Sequence, residues 1–541
     1  MRRSVLLLAA VLIGTLTACA GPPGTGSTGS TGSTAGTSTW TLSAATPAPK
    51  GDISSFSWAL YAEPPTLDYI ESFDYPQNMI LSNVCESLMR WTPQLTEVPG
   101  LAQSVANPNP TTWIYNLRPG VHFQDTNQTM TADDAVFSME RTWNNPDSDW
   151  GQIYQNVKSI TATGPLQVTV KLTRPDAFFN QYMATAAGVV ASKAVITQEG
   201  ASYGTQGSLG CTGPFELGQW VKGQSLELNR FQNYWGTPAK SQHVTFDFIS
   251  DPAEFTNALL TGEVDGAYLV PPQSYARLKA AHIGSLYFGQ ALTTVNINID
   301  SFSGVLGNVK VRQALSLALD RNGFVQTGLA GVGTPTSSIT PRAAWTDGSE
   351  TEAFENLPSP QQNIKEAKQL IREAGAEGKT ITLATSPIGP DTDILPTALQ
   401  AAGEEIGLNV VLKTVSPDGY TALFSSSQAR QGLDMFPETY YLSITDPFDI
   451  LDNFQTGSFQ DNAGYSNPVY DKLIDEASAT YNTAARLKIE AKINQLEAQQ
   501  VLWIPVAEWP NALFMDKRIT GAPTTIAYMY YPWAADVGAA R

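Results

Sequence analysis

Histidine and cysteine are scarce, with three of each in 541 residues. His122, His243 and His282 lie far apart, and none belongs to an H-E-x-x-H or Cys/His cluster, so zinc hydrolysis has no visible ligand set. The chain has no G-x-S-x-G nucleophile elbow, no S-x-x-K and no G-x-x-x-x-G-K-[ST] phosphate loop, which removes the common signatures of acyl and phosphoryl transfer. Adjacent carboxylates such as Asp133-Asp134 and Glu404-Glu405 read as solvated helix faces or partners of the helix dipole rather than glycosidase acids. Positive charge is also in short supply: 32 Lys and Arg against 50 Asp and Glu give a formal charge of −18. No basic cluster interleaved with aromatics occurs, so nucleic acid is excluded as a partner. Long apolar runs are missing beyond the first residues, and no later segment is suited to spanning a membrane.

The N-terminus does carry such a run. Arg2 and Arg3 precede an apolar stretch from Val5 to Ile13 and small residues before Cys19, the layout of a secretory signal. Leu16-Thr17-Ala18-Cys19 resembles a bacterial lipobox, which implies cleavage after residue 18 and lipidation of Cys19, with two acyl chains holding the protein at a membrane. A Gly/Ser/Thr tract follows, and residues 19–51 are expected to form a flexible tether. Its low-complexity part has a coil reach on the order of 20–25 Å. Of the remaining cysteines, Cys85 and Cys211 form an even pair in an exported chain, where one disulfide is more common than two free thiols. Two buried thiols acting as small hydrophobes are the alternative.

Hydrophobic content of 42% supports a globular core. Strand patterns occur at Thr112–Leu117, Gln167–Leu172, Ser225–Asn229, Val244–Ile249, Thr294–Ile299, Thr380–Ala384 and Asn409–Thr414. Helical periodicity occurs at Ala132–Trp143, Glu254–Thr261, Val311–Leu319, Asn363–Ala374, Thr397–Ile406, Pro468–Thr480 and Ala485–Val501, with Thr131 as the N-cap of the first. The interleaving predicts mixed α/β layers.

An ordered series of motifs carries a resemblance. Glu63-Pro64-Pro65-Thr66-Leu67-Asp68 is followed by Cys85-Glu86-Ser87-Leu88, Leu117-Arg118-Pro119-Gly120-Val121-His122-Phe123 and Thr131-Ala132-Asp133-Asp134-Ala135-Val136-Phe137-Ser138. Thr212-Gly213-Pro214-Phe215, Asn233-Tyr234-Trp235-Gly236, Val311-Arg312-Gln313-Ala314-Leu315 and Gly464-Tyr465-Ser466-Asn467-Pro468 continue it. Together these resemble the peptide/nickel-type extracellular solute-binding proteins of family 5. The resemblance implies an α/β, two-lobe periplasmic-binding-protein-like fold (type II, cluster C) with an extra domain inserted in the first lobe. The expected layout is first lobe 52–90, inserted domain 91–205, first lobe 206–291, second lobe 292–504 and first lobe again 505–541.

It also implies a site. Relatives that bind peptides carry Trp-x-x-Asp-Tyr-x-Asp-Pro, whose aspartate pairs with the peptide ammonium. Here the matching stretch runs Tyr440-Tyr441-Leu442-Ser443-Ile444-Thr445-Asp446-Pro447, with Tyr440 in place of the tryptophan and Ser443 in place of the aspartate. A serine hydroxyl does not neutralise a buried ammonium, so either Glu438 substitutes or the ligand lacks a free amine. The expected ligand contacts are Tyr440, Tyr441, Ser443, Glu438 and Asp446, with Glu71, Phe73 and Tyr75 from the loop of the other lobe. The implied partners are a small peptide or other polar solute, an ABC permease with its ATPase, and the membrane through Cys19. The chain is expected to be monomeric and extracellular, with no cofactor and no metal; nickel in particular finds no clustered histidines.

Overall fold

The computed structural model describes residues 40–126, 128–346 and 348–541. The signal at 1–18, Cys19 and the Gly/Ser/Thr tract therefore lie outside the described residues. Two large sheets organise the remainder. The first has seven strands in the order Gly284–Gly289, Asn511–Asp516, Gly266–Tyr268, Ile53–Leu60, Ser241–Phe248, Ser225–Arg230 and Phe215–Val221. The second has six, in the order Thr334–Pro335, Trp503–Glu508, Thr293–Ile299, Met435–Tyr441, Thr380–Thr385 and Asn409–Thr414. Helices pack on both, giving the two α/β lobes that the resemblance implies.

The chain passes between the sheets twice, and both passages are short. Residues 290–292 lead from Gly289 to Thr293, and Trp509-Pro510 lead back from Glu508 to Asn511. The Thr293 hydroxyl donates to the Trp509 carbonyl at 2.6 Å, so the two crossings lie side by side. The second lobe thus extends through Glu508. The boundary expected at 504 cuts the strand Trp503–Glu508, whose uninterrupted burial from Trp503 to Ala507 belongs to the second sheet.

A separate four-stranded antiparallel sheet, in the order Ala102–Asn109, Thr112–Leu117, Gln167–Leu172 and Val157–Gly164, is formed between Leu60 and Phe215 in sequence. Two of its strands alternate buried positions with half-buried or exposed ones, the pattern that made them legible. The helix Ala132–Asn144 starts at Thr131 in a capping box, with the Asp134 carboxylate returning to the Thr131 backbone N–H at 3.0 Å. Cys85 and Cys211 are joined by a disulfide, with Cα atoms 4.8 Å apart.

The expected tether ends too late at 51. Trp40 donates from its indole to the Gly331 carbonyl at 3.0 Å, the Ser43 N–H to Phe288 at 2.9 Å, and Thr46 is buried with its hydroxyl on the Ala522 carbonyl at 3.0 Å. These residues are satisfied by the body, which turns 40–51 into part of it. Residues 40–541 make one compact unit. Among the described residues no helix is long and apolar enough to cross a membrane.

Candidate functional site

Tyr75 opens the helix Tyr75–Val84, whose N-cap Asp74 accepts from the Tyr75 N–H at 2.7 Å and pairs with Gln77 in a capping box. That cap fixes where Tyr75 and the preceding Phe73 point. On the facing lobe, the strand Met435–Tyr441 contains Pro437, which has no N–H to offer a ladder. Its pairing with Thr293–Ile299 is continuous, but toward Thr380–Thr385 it retains only Leu383 opposite Met435. The sheet parts beyond that point. Asp391 occupies the gap, accepting from the Thr439 hydroxyl at 2.7 Å, while the Tyr420 hydroxyl donates to the freed Pro437 carbonyl at 2.8 Å. One proline thus opens the second lobe where the site lies.

A cavity of about 2430 Å³ lies between the two sheets. It exceeds the roughly 300–1,000 Å³ of ordinary small-molecule pockets and has room for an extended chain of several residues or a smaller solute with ordered water. Ala291, Thr293, Trp509 and Pro510 line it, so both crossings border the cavity. Glu71, Phe73, Tyr75, Glu438, Tyr440, Tyr441 and Ser443 line it as well.

Asp446 does not. It is 4% exposed, and its carboxylate accepts from Arg486 at 2.7 Å and from the Phe448 N–H at 3.1 Å, which places it inside the second lobe as an anchor. The acid at the cavity is Asp449 instead. Its two oxygens accept from the Ser443 N–H at 2.7 Å and the Tyr182 hydroxyl at 2.8 Å. A carboxylate therefore stands beside Ser443 although the sequence has none at 443. A clue was available: Asp449 sits one turn beyond Asp446-Pro447, in the helix Phe448–Leu451.

The tyrosines do more than line the wall. The Tyr441 hydroxyl donates to the Phe73 carbonyl of the opposite lobe and lies 3.3 Å from the Tyr530 hydroxyl, and its ring meets Tyr75 at 5.2 Å. Tyr440 donates to the Asp449 carbonyl at 3.1 Å and packs on Trp503 at 5.8 Å. Tyr441 is thus a clasp between lobes and Tyr440 a wall braced from behind.

Carboxylates dominate the charged part of the lining. Glu63, Glu71, Asp74 and Asp251 come from the first lobe, Asp147, Asp149 and Asp176 from the region of the four-stranded sheet, and Asp391, Glu438, Asp449, Asp452 and Asp475 from the second. Against these twelve stands, among the described residues, one cation, Arg174, already paired with Asp475 at 2.8 Å. Burial pushes the Glu438 carboxyl up to about 7, with Asp391 adding to the rise and the Asn298 amide opposing it. Burial likewise raises Asp449 and Asp149 to about 7, the latter with help from Glu71, and raises Asp391 and Asp452.

These shifts fix a pH dependence. Each folded-state value lies above the roughly 4 of an unfolded carboxyl, so between those limits the folded chain holds more protons than the unfolded one. The stability is fully present below about pH 4 and is lost as pH rises through about 7. The solute-free protein is expected to unfold at a temperature several degrees higher at pH 5 than at pH 8, measured by differential scanning fluorimetry. A midpoint that rises toward pH 8 would contradict the burial of these carboxyls.

Residues 96–462 match the family described as "Bacterial extracellular solute-binding proteins, family 5 Middle". The chain belongs to that family; it is a solute-binding transport protein and not an enzyme. It is 24% identical over 473 residues to the periplasmic oligopeptide-binding protein OppA of Escherichia coli, covering 82% of this chain and 85% of that one. Among solved structures it is similar to DppA from Helicobacter pylori in complex with the peptide STSA, at a TM-score of 0.81 and 19% identity over 91% of this chain and 99% of that one. It is also similar to the oligopeptide-binding protein AppA from Bacillus subtilis in complex with a nonapeptide, at 0.78 and 21%, covering 91% and 100%. The two-lobe periplasmic binding fold is shared with both.

Proposed function

We propose that the chain is the lipid-anchored solute-binding protein of an ATP-driven importer, capturing an oligopeptide or a polar solute of similar size between its lobes and presenting it to a membrane permease. The cavity carries this reading, since it is walled by both sheets and bordered by the two short crossings. Rotation about residues 290–292 and 509–510 would open it, and contacts from both lobes to one solute would favour the closed form. The Tyr441–Phe73 clasp is a contact of the closed form. The lipobox at Cys19 supports attachment at the extracellular face, and docking of the permease on both lobes suits a monomer. Asp449 beside Ser443 supports a peptide ligand with a free amine, since it supplies the charge that serine lacks.

Thermal unfolding of the 40–541 protein with short peptides of free and acetylated N-terminus, and with oligosaccharides, tests the proposal. A ligand at about 100 times its dissociation constant adds roughly 2.7 kcal/mol to the folded state. The expected result is stabilisation by free peptides and loss of that stabilisation on acetylation. Stabilisation by sugars or blocked peptides alone would assign another ligand class, and no response to a broad solute panel would overturn the binding role.

A further inference from the structure

Given the solute-binding reading above, access to the cavity is governed by rotation between the lobes, and one segment touches both lobes beside the crossings. Residues 42–46 are stitched to the first lobe. Leu42 bridges to Phe288, the Ser43 N–H donates to the Phe288 carbonyl at 2.9 Å, and the Ser43 carbonyl accepts from the Thr524 hydroxyl. Both anchors lie at the roots of the crossings. Phe288 is near the end of the strand Gly284–Gly289 that leads into residues 290–292, and the Thr524 carbonyl accepts from the Asn511 amide, just after Pro510, at 2.7 Å.

Trp40 reaches the other way. Its indole N–H donates to the Gly331 carbonyl at 3.0 Å, while its ring meets Phe288 edge-on with centroids 6.4 Å apart. Gly331 belongs to the second lobe, in the turn between the helix Arg321–Thr327 and the strand Thr334–Pro335. Its N–H donates to the Val325 carbonyl at 2.9 Å, and that of Val332 to the Leu329 carbonyl at 2.9 Å, which fixes the turn to its own lobe. Ala330 and Gly331 both take left-handed φ, 51° and 77°, a conformation that is costly for alanine. Val332 is buried in an apolar cluster otherwise made of first-lobe residues, among them Tyr275, Ala512 and Phe514, and Trp40 packs against that cluster. The segment thus covers the seam where a second-lobe turn enters the first lobe.

We propose that Trp40 is a strap across the hinge, holding the Gly331 turn in the closed form and releasing it as the lobes rotate apart, so that the N-terminal segment sets the open–closed equilibrium of the binding site. Residues 42–46 stay with one lobe and the indole is bonded to the other, so a rotation that carries the turn away from Phe288 breaks the bond. A contact made in only one of two states shifts their equilibrium by its whole free energy. One net hydrogen bond corresponds to a factor of roughly two to ten.

Pulsed electron spin resonance on the solute-free 20–541 protein tests the strap. Its only cysteines are Cys85 and Cys211, joined to each other, so labels at Glu227→Cys and Val411→Cys are unambiguous. Both positions are exposed, on the strands Ser225–Arg230 and Asn409–Thr414, which lie in the two sheets away from the crossings. The expected result is a short, closed distance and a long, open one, with the closed-to-open ratio falling roughly two- to tenfold in Trp40→Phe, which keeps a ring and loses the N–H. Trp40→Ala is expected to lower the ratio further. A tryptophan that serves only the fold would lower the unfolding temperature and leave the ratio unchanged, which overturns the strap and leaves the solute-binding reading intact. A single distance in every variant also overturns the strap, and the binding reading is judged separately by the thermal response to peptides and oligosaccharides.

Discussion

Arg486→Met is expected to lower the unfolding free energy by about 3–5 kcal/mol, the usual loss when one partner of a buried ion pair is removed. Arg486 is 4% exposed. Its guanidinium donates to Asp446 at 2.7 Å, lies 3.5 Å from Glu490 and covers the Phe178 ring at 4.9 Å. Phe178 in turn stacks on Phe448 with centroids 3.8 Å apart. Phe178 and Tyr182 come from the segment after the four-stranded sheet, while Asp446, Phe448 and Asp449 belong to the second lobe. Methionine fills the volume but leaves the Asp446 carboxylate buried without its charge partner. Glu490 makes the contrast: burial and the nearby Asp446 push its carboxyl well above the usual range, so Glu490→Gln, which keeps the shape, should change stability by less than about 1 kcal/mol. Guanidinium chloride unfolding of both variants checks the pair. Equal effects would mean that the arginine serves only as filler.

Removal of the Cys85–Cys211 disulfide is the second large effect. The bridge closes a loop with a sequence separation of 126 residues, which the chain-entropy argument values at about 4–5 kcal/mol through the unfolded state. That loop contains the whole four-stranded sheet, and Cys85 is the C-cap of the helix that begins with Tyr75. The Cys85→Ala/Cys211→Ala variant is therefore expected to unfold at much lower denaturant while retaining solute affinity at 25 °C, because the ends of the helix are also held by Asp74 and by the Cys85 N–H on the Leu81 carbonyl at 2.7 Å. A stability change below about 1 kcal/mol would show that the reduced, unfolded chain is already compact across this loop.

Elements with one clean periodicity were legible. Thr112–Leu117, Gln167–Leu172 and Asn409–Thr414 occur at their expected bounds, and Ala132–Trp143, Asn363–Ala374 and Pro468–Thr480 differ from theirs by one or two residues. The helix Tyr75–Val84 was not, because it is buried on nearly every side and its polar residues Gln77, Asn78, Ser82 and Asn83 are inside, leaving no polar face to mark a period. The strand Met435–Tyr441 is absent from the expected strands, and Pro437 hides it by arguing against a central strand; the proline is tolerated because the ladder ends on that side. At the site, Tyr440, Tyr441 and Ser443 of the motif Tyr440 to Pro447 line the cavity. Asp446 does not line it, and sequence does not show that Arg486, forty residues away, claims that carboxylate. The acidity of the cavity was hidden for a similar reason: its carboxylates come from all parts of the chain, and only the fold brings them to one surface.

The crystal structure of the 40–541 protein with the solute that stabilises it most tests the central claim directly. The account predicts density for that solute between the two sheets, against Tyr440 and Trp509. A solute seated outside this cavity, with the cavity holding only water, would contradict it.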